Sequence, residues 1–416
     1  MHNEGTVTHA VIDLGEAPAD LPVRSRPVPY RALLGALSAV LLVLAGGATH
    51  QRDPVAPTVI PARLADSFTI DGERMYLVEG PRITTYELPS MRVLARTTAA
   101  ASGTVNGIQQ AGEAMVMGYQ LDADGAQQDT AAYLAGGDRL LWRRPERFVA
   151  TSAADGIALL AADRVEIAVD LATGRERWRV TRPAGCYLAE AGSGPDYPDW
   201  LVVLSTAGRL ETYDAHTGRR LAASGGSARA GAIWPVGSLL LVSAGAGYDA
   251  YRLPGLQRLW HTGVDLSQSW MQTDCAEVIC AFRQRSGMTV LDPADGHVLW
   301  DSDRWAYAEP LGRYLVAISS AVEEDGPPLW VLDPRTGKAL GNFGAWQGLG
   351  LAPGGLLYGK REVRGQYQIF YGLLDPADRS VDVLGSADRV SNGCETGGGV
   401  LACRLVDASV AVWPLG

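Results

Sequence analysis

The sequence holds almost no lysine. Of its 36 basic residues only Lys338 and Lys360 are lysines, and the arginines are scattered rather than clustered, which reads as coding bias and carries no functional weight. A basic excess is missing as well: 46 acidic residues give a net charge of −10 over 416 residues, so no patch can track phosphates and nucleic acid is not an expected partner. HExxH and G-x-S-x-G motifs are absent, which removes the common zinc-protease and α/β-hydrolase signatures. The glycine stretches at 192–199 and 243–249 lack the lysine or helix that a phosphate loop requires. Charge is sparse too, at 20% against 47% hydrophobic residues, and such a chain collapses rather than staying disordered.

What is abundant is turn chemistry, with 49 Gly and 23 Pro. That richness suits many short strands and tight turns. One segment differs. Residues 32–49 (ALLGALSAVLLVLAGGAT) carry no charge, and as a helix they would reach roughly 27 Å, close to the ~30 Å bilayer core. Arg24, Arg26 and Arg31 precede the run, whereas Arg52 beyond it is answered by Asp53. The positive-inside rule therefore leaves 1–31 as a disordered cytoplasmic tail and exports the remainder. A cleavable signal peptide is the competing reading, with Gly46-Gly47-Ala48 as its small-residue site, but the leader is long and carries Glu4, Asp13, Glu16 and Asp20. The expected organisation is a tail (1–31), a membrane anchor (32–49), a linker (50–63) and one exported domain (64–416), single-pass, monomeric and extracytoplasmic, or secreted if the signal is cleaved.

The exported part repeats itself. VEIAVDLATGRERW (165–178), RLETYDAHTGRRLA (209–222), MTVLDPADGHVLW (288–300) and LWVLDPRTGKALG (329–341) share an apolar strand, an Asp, a turn closing on Gly and a second strand. Asp170, Asp214, Asp292 and Asp333 are placed to bond the turn backbone, and Gly174, Gly218, Gly296 and Gly337 to supply positive φ. Trp178 and Trp300 end the second strand, at a position also held by Trp142 and Trp260, and are read as core. Degenerate copies extend the series of anchors to Glu87, Leu134, Asp170, Asp214, Arg252, Asp292, Asp333 and Asp375, a period of about 41 residues, the length of one four-stranded propeller blade. Two further strands precede each anchor, as in DSFTID and RMYLVEG or WMQTDC and EVICAFRQ. The chain ends in a ninth register, GGVLACRL and ASVAVWPLG, that lacks a fourth strand. A ring leaves no free edge, so Thr58-Val59-Ile60 is expected to supply that strand. Literal counting gives nine units. The commonness of smaller rings favours eight with one register merged, and the expected fold is an all-β propeller of about eight four-stranded blades after one transmembrane helix.

These repeats, D-x-x-[TD]-G followed by Trp, resemble the pyrroloquinoline quinone-like propeller repeat over residues 64–416. The resemblance implies a fold shared by quinoprotein dehydrogenases and an outer-membrane assembly lipoprotein, and says little of function. The dehydrogenases carry a vicinal Cys-Cys pair and calcium ligands beside the quinone. No Cys-Cys occurs here, and no Cys follows the apolar run to carry a lipid. A non-catalytic member is implied, without cofactor or metal.

Five cysteines lie on the exported side, where disulfides persist. Cys275 with Cys280, and Cys394 with Cys403, bracket the first hairpin of their units and are expected to be bonded; a thiolate metal site would need more ligands. Cys186 has no evident partner and reads as a buried thiol. His216 and His297 fall in or beside turns. Glu323, Glu324 and Asp325 sit in an insertion, where a solvated loop is the simpler reading than a cation site. The expected function is a binding or scaffolding module for a protein, peptide or glycan, with specificity in the insertions at 119–130, 189–199 and 320–328. The alternative is a quinone-dependent or hydrolytic propeller enzyme, which would need carboxylates from different blades to converge.

Overall fold

The repeat anchors end the third strand of each unit. Arg82–Glu87, Gln128–Leu134, Val165–Asp170, Leu210–Asp214, Gly247–Arg252 and Gln368–Asp375 stop on the anchor, and Met288–Leu291 and Leu329–Leu332 stop one residue before it. At Asp170 the reason is local: its Oδ1 accepts from the Thr173 backbone at 2.9 Å and the Thr173 hydroxyl at 2.8 Å, while Gly174 N–H returns to the Asp170 carbonyl at 2.8 Å. Gly174 stands at φ 66°, so the chain reverses there without strain.

The structure is a computed structural model. It describes residues 56–416 apart from 101–102, 123, 193–196, 226–229, 276, 285, 322–325 and 416. Among the described residues the strands form nine four-stranded antiparallel sheets. The blades are 67–98, 104–144, 147–181, 187–223, 230–262, 269–302, 305–342 and 347–388, and a ninth takes three strands from 390–414. The expectation of eight blades is therefore corrected to nine. No register is merged, because each of the nine repeats folds into its own sheet.

The ninth blade is completed by Thr58–Ile60, within the segment read as linker, which pairs antiparallel with Val410–Pro414 in the register Thr58↔Val412 and Ile60↔Val410. Joining both ends of the chain in one sheet closes the ring. Glu395 of blade 9 accepts from Ile70 N–H of blade 1 at 2.9 Å, and Arg404 donates to the Arg63 carbonyl at 3.0 Å, so polar contacts reinforce the seam.

Period-2 alternation explains the core. In the second strand of blade 5 (Leu239–Ala244), Leu240 and Val242 pack toward blade 4 and Leu241 toward blade 6. In blade 6, Val278, Cys280 and Phe282 face blade 7 while Ile279 and Ala281 face blade 5. Second strands are thus buried on both faces and read as continuous apolar runs. Each junction between consecutive blades has one apolar cluster, and the junction of blade 9 with blade 1 holds Ile60, Met75, Leu77, Val400 and Val412. Each buried Leu or Val is worth roughly 1.5–3 kcal/mol.

The outer rim is locked by the repeat tryptophans. Trp142, Trp178, Trp260 and Trp300 donate Nε1–H to Leu171, His216, Pro293 and Pro334 carbonyls at 2.8–3.0 Å, each in the turn of the next blade. The indole lies on that turn's glycine: a Cβ on Gly337 would stand 2.6 Å from Trp300 Cδ2. At the junction of blades 7 and 8 the pair is exchanged. Gly341 takes the tryptophan position and Arg379, at φ 61°, takes the glycine position and lays its stem across Gly341.

No helix among the described residues is long and apolar enough to cross a membrane. The run at 32–49 lies outside the described residues.

Candidate functional site

At seven of the nine junctions the first strands of neighbouring blades pack on one another, including those of blades 9 and 1 across the seam, which puts the first strands next to the axis of the ring. Several carry a β-bulge at one level. The extra residue is Asn106 in blade 2, Val149 in blade 3, Trp270 in blade 6, Ala306 in blade 7 and Leu349 in blade 8. A bulge re-aims its side chain, so these positions decide what the inner wall presents.

On blades 6–8 the wall is aromatic and aliphatic. Trp270 is 52% exposed and Leu351 75% exposed. Trp270 stacks on Tyr307 with ring centroids 6.5 Å apart and meets Phe282 in a tilted contact at 5.8 Å. Tyr307, Ile318, Leu349 and Leu351 line a cavity of about 330 Å³. A larger cavity, about 850 Å³, opens between blades 7 and 8 over Trp330, Arg361 and Phe370. Arg304 lies over Trp305 and Trp330, 4.4 and 4.2 Å from the ring centroids.

On blades 2–4 the wall is polar. A cleft of about 450 Å³ is lined by Gln128, Arg147, Asp163, Glu166, Arg182 and Glu190 among others. A second cavity, sharing Gln128 and Arg147, continues it along Asn106 and Gln109. Arg147, Ala161 and Glu166 are register partners on three adjacent strands and share one face of blade 3. Glu166 is buried, and its Oε2 has no hydrogen-bond partner; the same holds for Gln128 Oε1. Leaving such an acceptor unpaired costs about 1–3 kcal/mol. Desolvation, then the neighbouring Glu190, pushes the Glu166 carboxyl up to about 8, against the opposing pull of Arg147 and Arg182. Burial raises Glu190 too. The cleft thus pairs a carboxyl that is neutral at neutral pH with charged neighbours.

The cysteines bridge as two hairpin clasps. Cys275–Cys280 joins the first two strands of blade 6 with Cα atoms 5.8 Å apart, and Cys394–Cys403, directly opposite in register, does so in blade 9 at 4.1 Å. Cys186 is free and buried between blades 3 and 4. The anchors Asp170, Asp214, Asp292 and Asp333, with Gly174, Gly218, Gly296 and Gly337, are spread around the rim turns and make no common site; Asp292 also accepts from Arg335 of the next turn at 2.7 Å. Glu323, Glu324 and Asp325 lie outside the described residues. His216 Nδ1 meets Asp155 Oδ2 at 2.6 Å, yet the Ser152 hydroxyl bonds the same carboxylate at 2.5 Å rather than the imidazole, so the trio does not activate a nucleophile. Among the described residues no group of three or more His, Cys, Asp and Glu could hold a metal ion.

Sequence reading missed Glu166 and Trp270. A signal existed for Glu166, since it is a charged residue inside a strand of Val, Ile and Ala, whereas Asp170 ends that strand as the turn anchor. None existed for Trp270, whose exposure depends on a bulge.

No family model matches the chain, and no curated protein does. Solved structures do. The structure of the eukaryotic initiation factor is similar at TM-score 0.53 and 12% identity, over 82% of this chain and 92% of that one. BamB from Moraxella catarrhalis is similar at 0.44 and 13%, over 87% and 97%, and dihydro-heme d1 dehydrogenase NirN in complex with DHE at 0.43 and 16%, over 68% and 67%. The first of these likenesses supports the fold, and at such identities the fold is all that is shared: this chain is a nine-bladed β-propeller.

Proposed function

We propose that this chain is a binding module: a propeller of the pyrroloquinoline quinone-like type, tethered by residues 32–49 to the outer face of a cell membrane, that docks a segment of a partner protein on its inner wall. The observation that carries it is the exposed face of Trp270, Tyr307 and Leu351 on blades 6–8. Large apolar side chains held in water on a rigid sheet are a standing cost of about 25 cal/mol per Å², and contiguous patches of this kind mark interaction surfaces. The blades supply the rigidity that keeps the face from collapsing.

A photo-crosslinking side chain in place of Trp270, in intact cells, tests the docking, with Leu140 on the fourth strand of blade 2 as an equally exposed control. The reading expects a discrete adduct from position 270 that Leu351→Asp abolishes, and none from position 140; equal adducts from both positions would refute it. Protease treatment of right-side-out and inverted vesicles tests the tether. The propeller should be degraded only in the right-side-out preparation.

A hydrolytic reading draws on one observation, the Glu166 carboxyl, pushed up to about 8 by burial, beside a second carboxyl, Glu190, the residue pair that acid-assisted hydrolysis uses. It expects turnover of a glycoside or ester that Glu166→Gln abolishes without changing the fold.

A further inference from the structure

The blade 2–4 cleft has acceptors that no group among the described residues satisfies. Leu159 and Val180 of blade 3 pack on Leu201 and Val203 of blade 4, and Arg147, Ala161 and Glu166 share the face that carries them. Glu190 comes from the facing blade, two residues after Leu188, which packs in that same cluster. Gln128 enters from blade 2 at the start of its third strand. Glu166 is only 6% exposed and lines the cavity, with Oε2 unpartnered, and Gln128 Oε1 is a second buried acceptor without a donor.

The cations already present are occupied. Arg182 donates to the Cys186 carbonyl at 2.5 Å and to the Asp163 carbonyl, and Arg147 stands 3.8 Å from Glu190. Three carboxyl groups, Asp163, Glu166 and Glu190, line the cleft against these two guanidiniums. Asp163 is answered by Arg164 at 3.6 Å and its side chain stands in water, so the inner part of the cleft sets Glu166 and Glu190 against the two guanidiniums. A single water has too few donors and fills about 30 Å³, far less than the space available. A calcium ion asks for six to eight oxygens, more than the named acceptors provide beside two guanidiniums. A primary ammonium is compact, carries one charge and has three donors.

We propose that the cleft between blades 2, 3 and 4 is a binding site for a primary ammonium group, with Glu166, Glu190 and Gln128 Oε1 as acceptors of its three N–H bonds. The inference rests on the reading of the propeller as a binding module, in which the ammonium is a lysine side chain of the docked segment; a free diamine presents the same chemistry. Binding ionises Glu166, so a proton leaves as the ammonium enters. The groups facing Glu166 are Arg147 on its own blade's first strand, Arg182 in the connection to blade 4, Asp163 in the turn before it, Glu190 across the junction and the Tyr197 hydroxyl beyond.

The test is calorimetric titration of the purified full chain with acetyl-Gly-Lys-Gly-amide, with 1,5-diaminopentane and with the norleucine analogue of the peptide, in two buffers of different ionisation enthalpy. The expected result is ammonium-dependent binding, at least about tenfold weaker for the norleucine peptide, with net proton release near neutral pH. Glu166→Gln should weaken it at least about tenfold and abolish the proton release, with Glu190→Gln as a second variant and thermal melting as the check on folding. Tighter binding of the peptide than of the diamine upholds the site and assigns it to a lysine side chain; the reverse order upholds the site and assigns it to a free amine. Equal binding of the norleucine peptide, no binding of either amine at millimolar concentration, or full affinity in folded Glu166→Gln overturns the proposal. Because the probes are small, failure of the crosslinking at position 270 with intact ammonium binding would refute the docking face alone.

Discussion

Blades 2–4 and blades 6–8 have the same strand order, yet they offer opposite chemistry to the middle of the ring. In blade 6 the inner bulge puts an indole into water at Trp270; in blade 2 the same bulge holds Asn106. The cleft at blades 3 and 4 holds Glu166, Glu190 and Arg147, whereas blades 6 and 7 set Phe282 against Tyr307. The scaffold tolerates this contrast because the second strands are buried at every junction, while first-strand positions such as Trp270 and Glu190 and the opening residues of third strands, Gln128 and Glu166, vary. Fold and site are therefore separable here: the rim turns and second strands make the ring, and the first-strand bulges and the strand ends around the cleft make the chemistry.

The sharpest way to break the comparison is pH. The folded protein keeps a proton on Glu166 up to about 8, whereas the unfolded chain releases it near 4.5. Between those values the folded state binds more protons, so stability falls as pH rises through the window and levels off above it, by up to about 5 kcal/mol for the whole shift. Glu166→Gln should flatten that slope and be more stable than the parent above the window, as urea midpoints across the range would show. Trp270→Ala, on the opposite wall, should leave the slope untouched.

A smaller effect tests whether the two halves are held together alike. Trp142→Ala and Trp300→Ala each remove an indole docked on the next blade's glycine, at Gly174 and Gly337, and each should lower stability by about 3 kcal/mol in denaturant unfolding. A large inequality would mean that the walls differ in architecture as well as chemistry. Replacing Cys275 and Cys280 by alanine should cost about 2 kcal/mol, because the loop they close is short; chevron analysis would read this mainly as faster unfolding if the clasp forms late. Smallest is Trp270→Ala itself, about 1 kcal/mol or less from lost ring contacts, with its melting curve nearly superposed on the parent's.

Much of the ring was legible. The anchors at Glu87, Asp170, Asp292 and their counterparts mark the third strands because an Asp-turn-Gly hairpin is decided within five residues. The closing strand at Thr58–Ile60 followed from the missing edge in the last register, and the cysteine pairs from their place in one hairpin. The blade number was misjudged because the commonness of smaller rings was set against an explicit ninth register. The exchange of Gly341 and Arg379 for Trp and Gly was invisible in either repeat alone, since it is a relation between consecutive blades.

By itself, then, the sequence determined the repeat, its strand order and the places where the chain reverses, since alternation and turn chemistry are local and act wherever the segment ends up. Only the tertiary structure decided that Glu166 and Gln128 would be buried without donors and that Trp270 would stand in water. Burial and isolation belong to the space between blades: Glu190 comes within reach of Glu166 only because blade 4 stacks on blade 3.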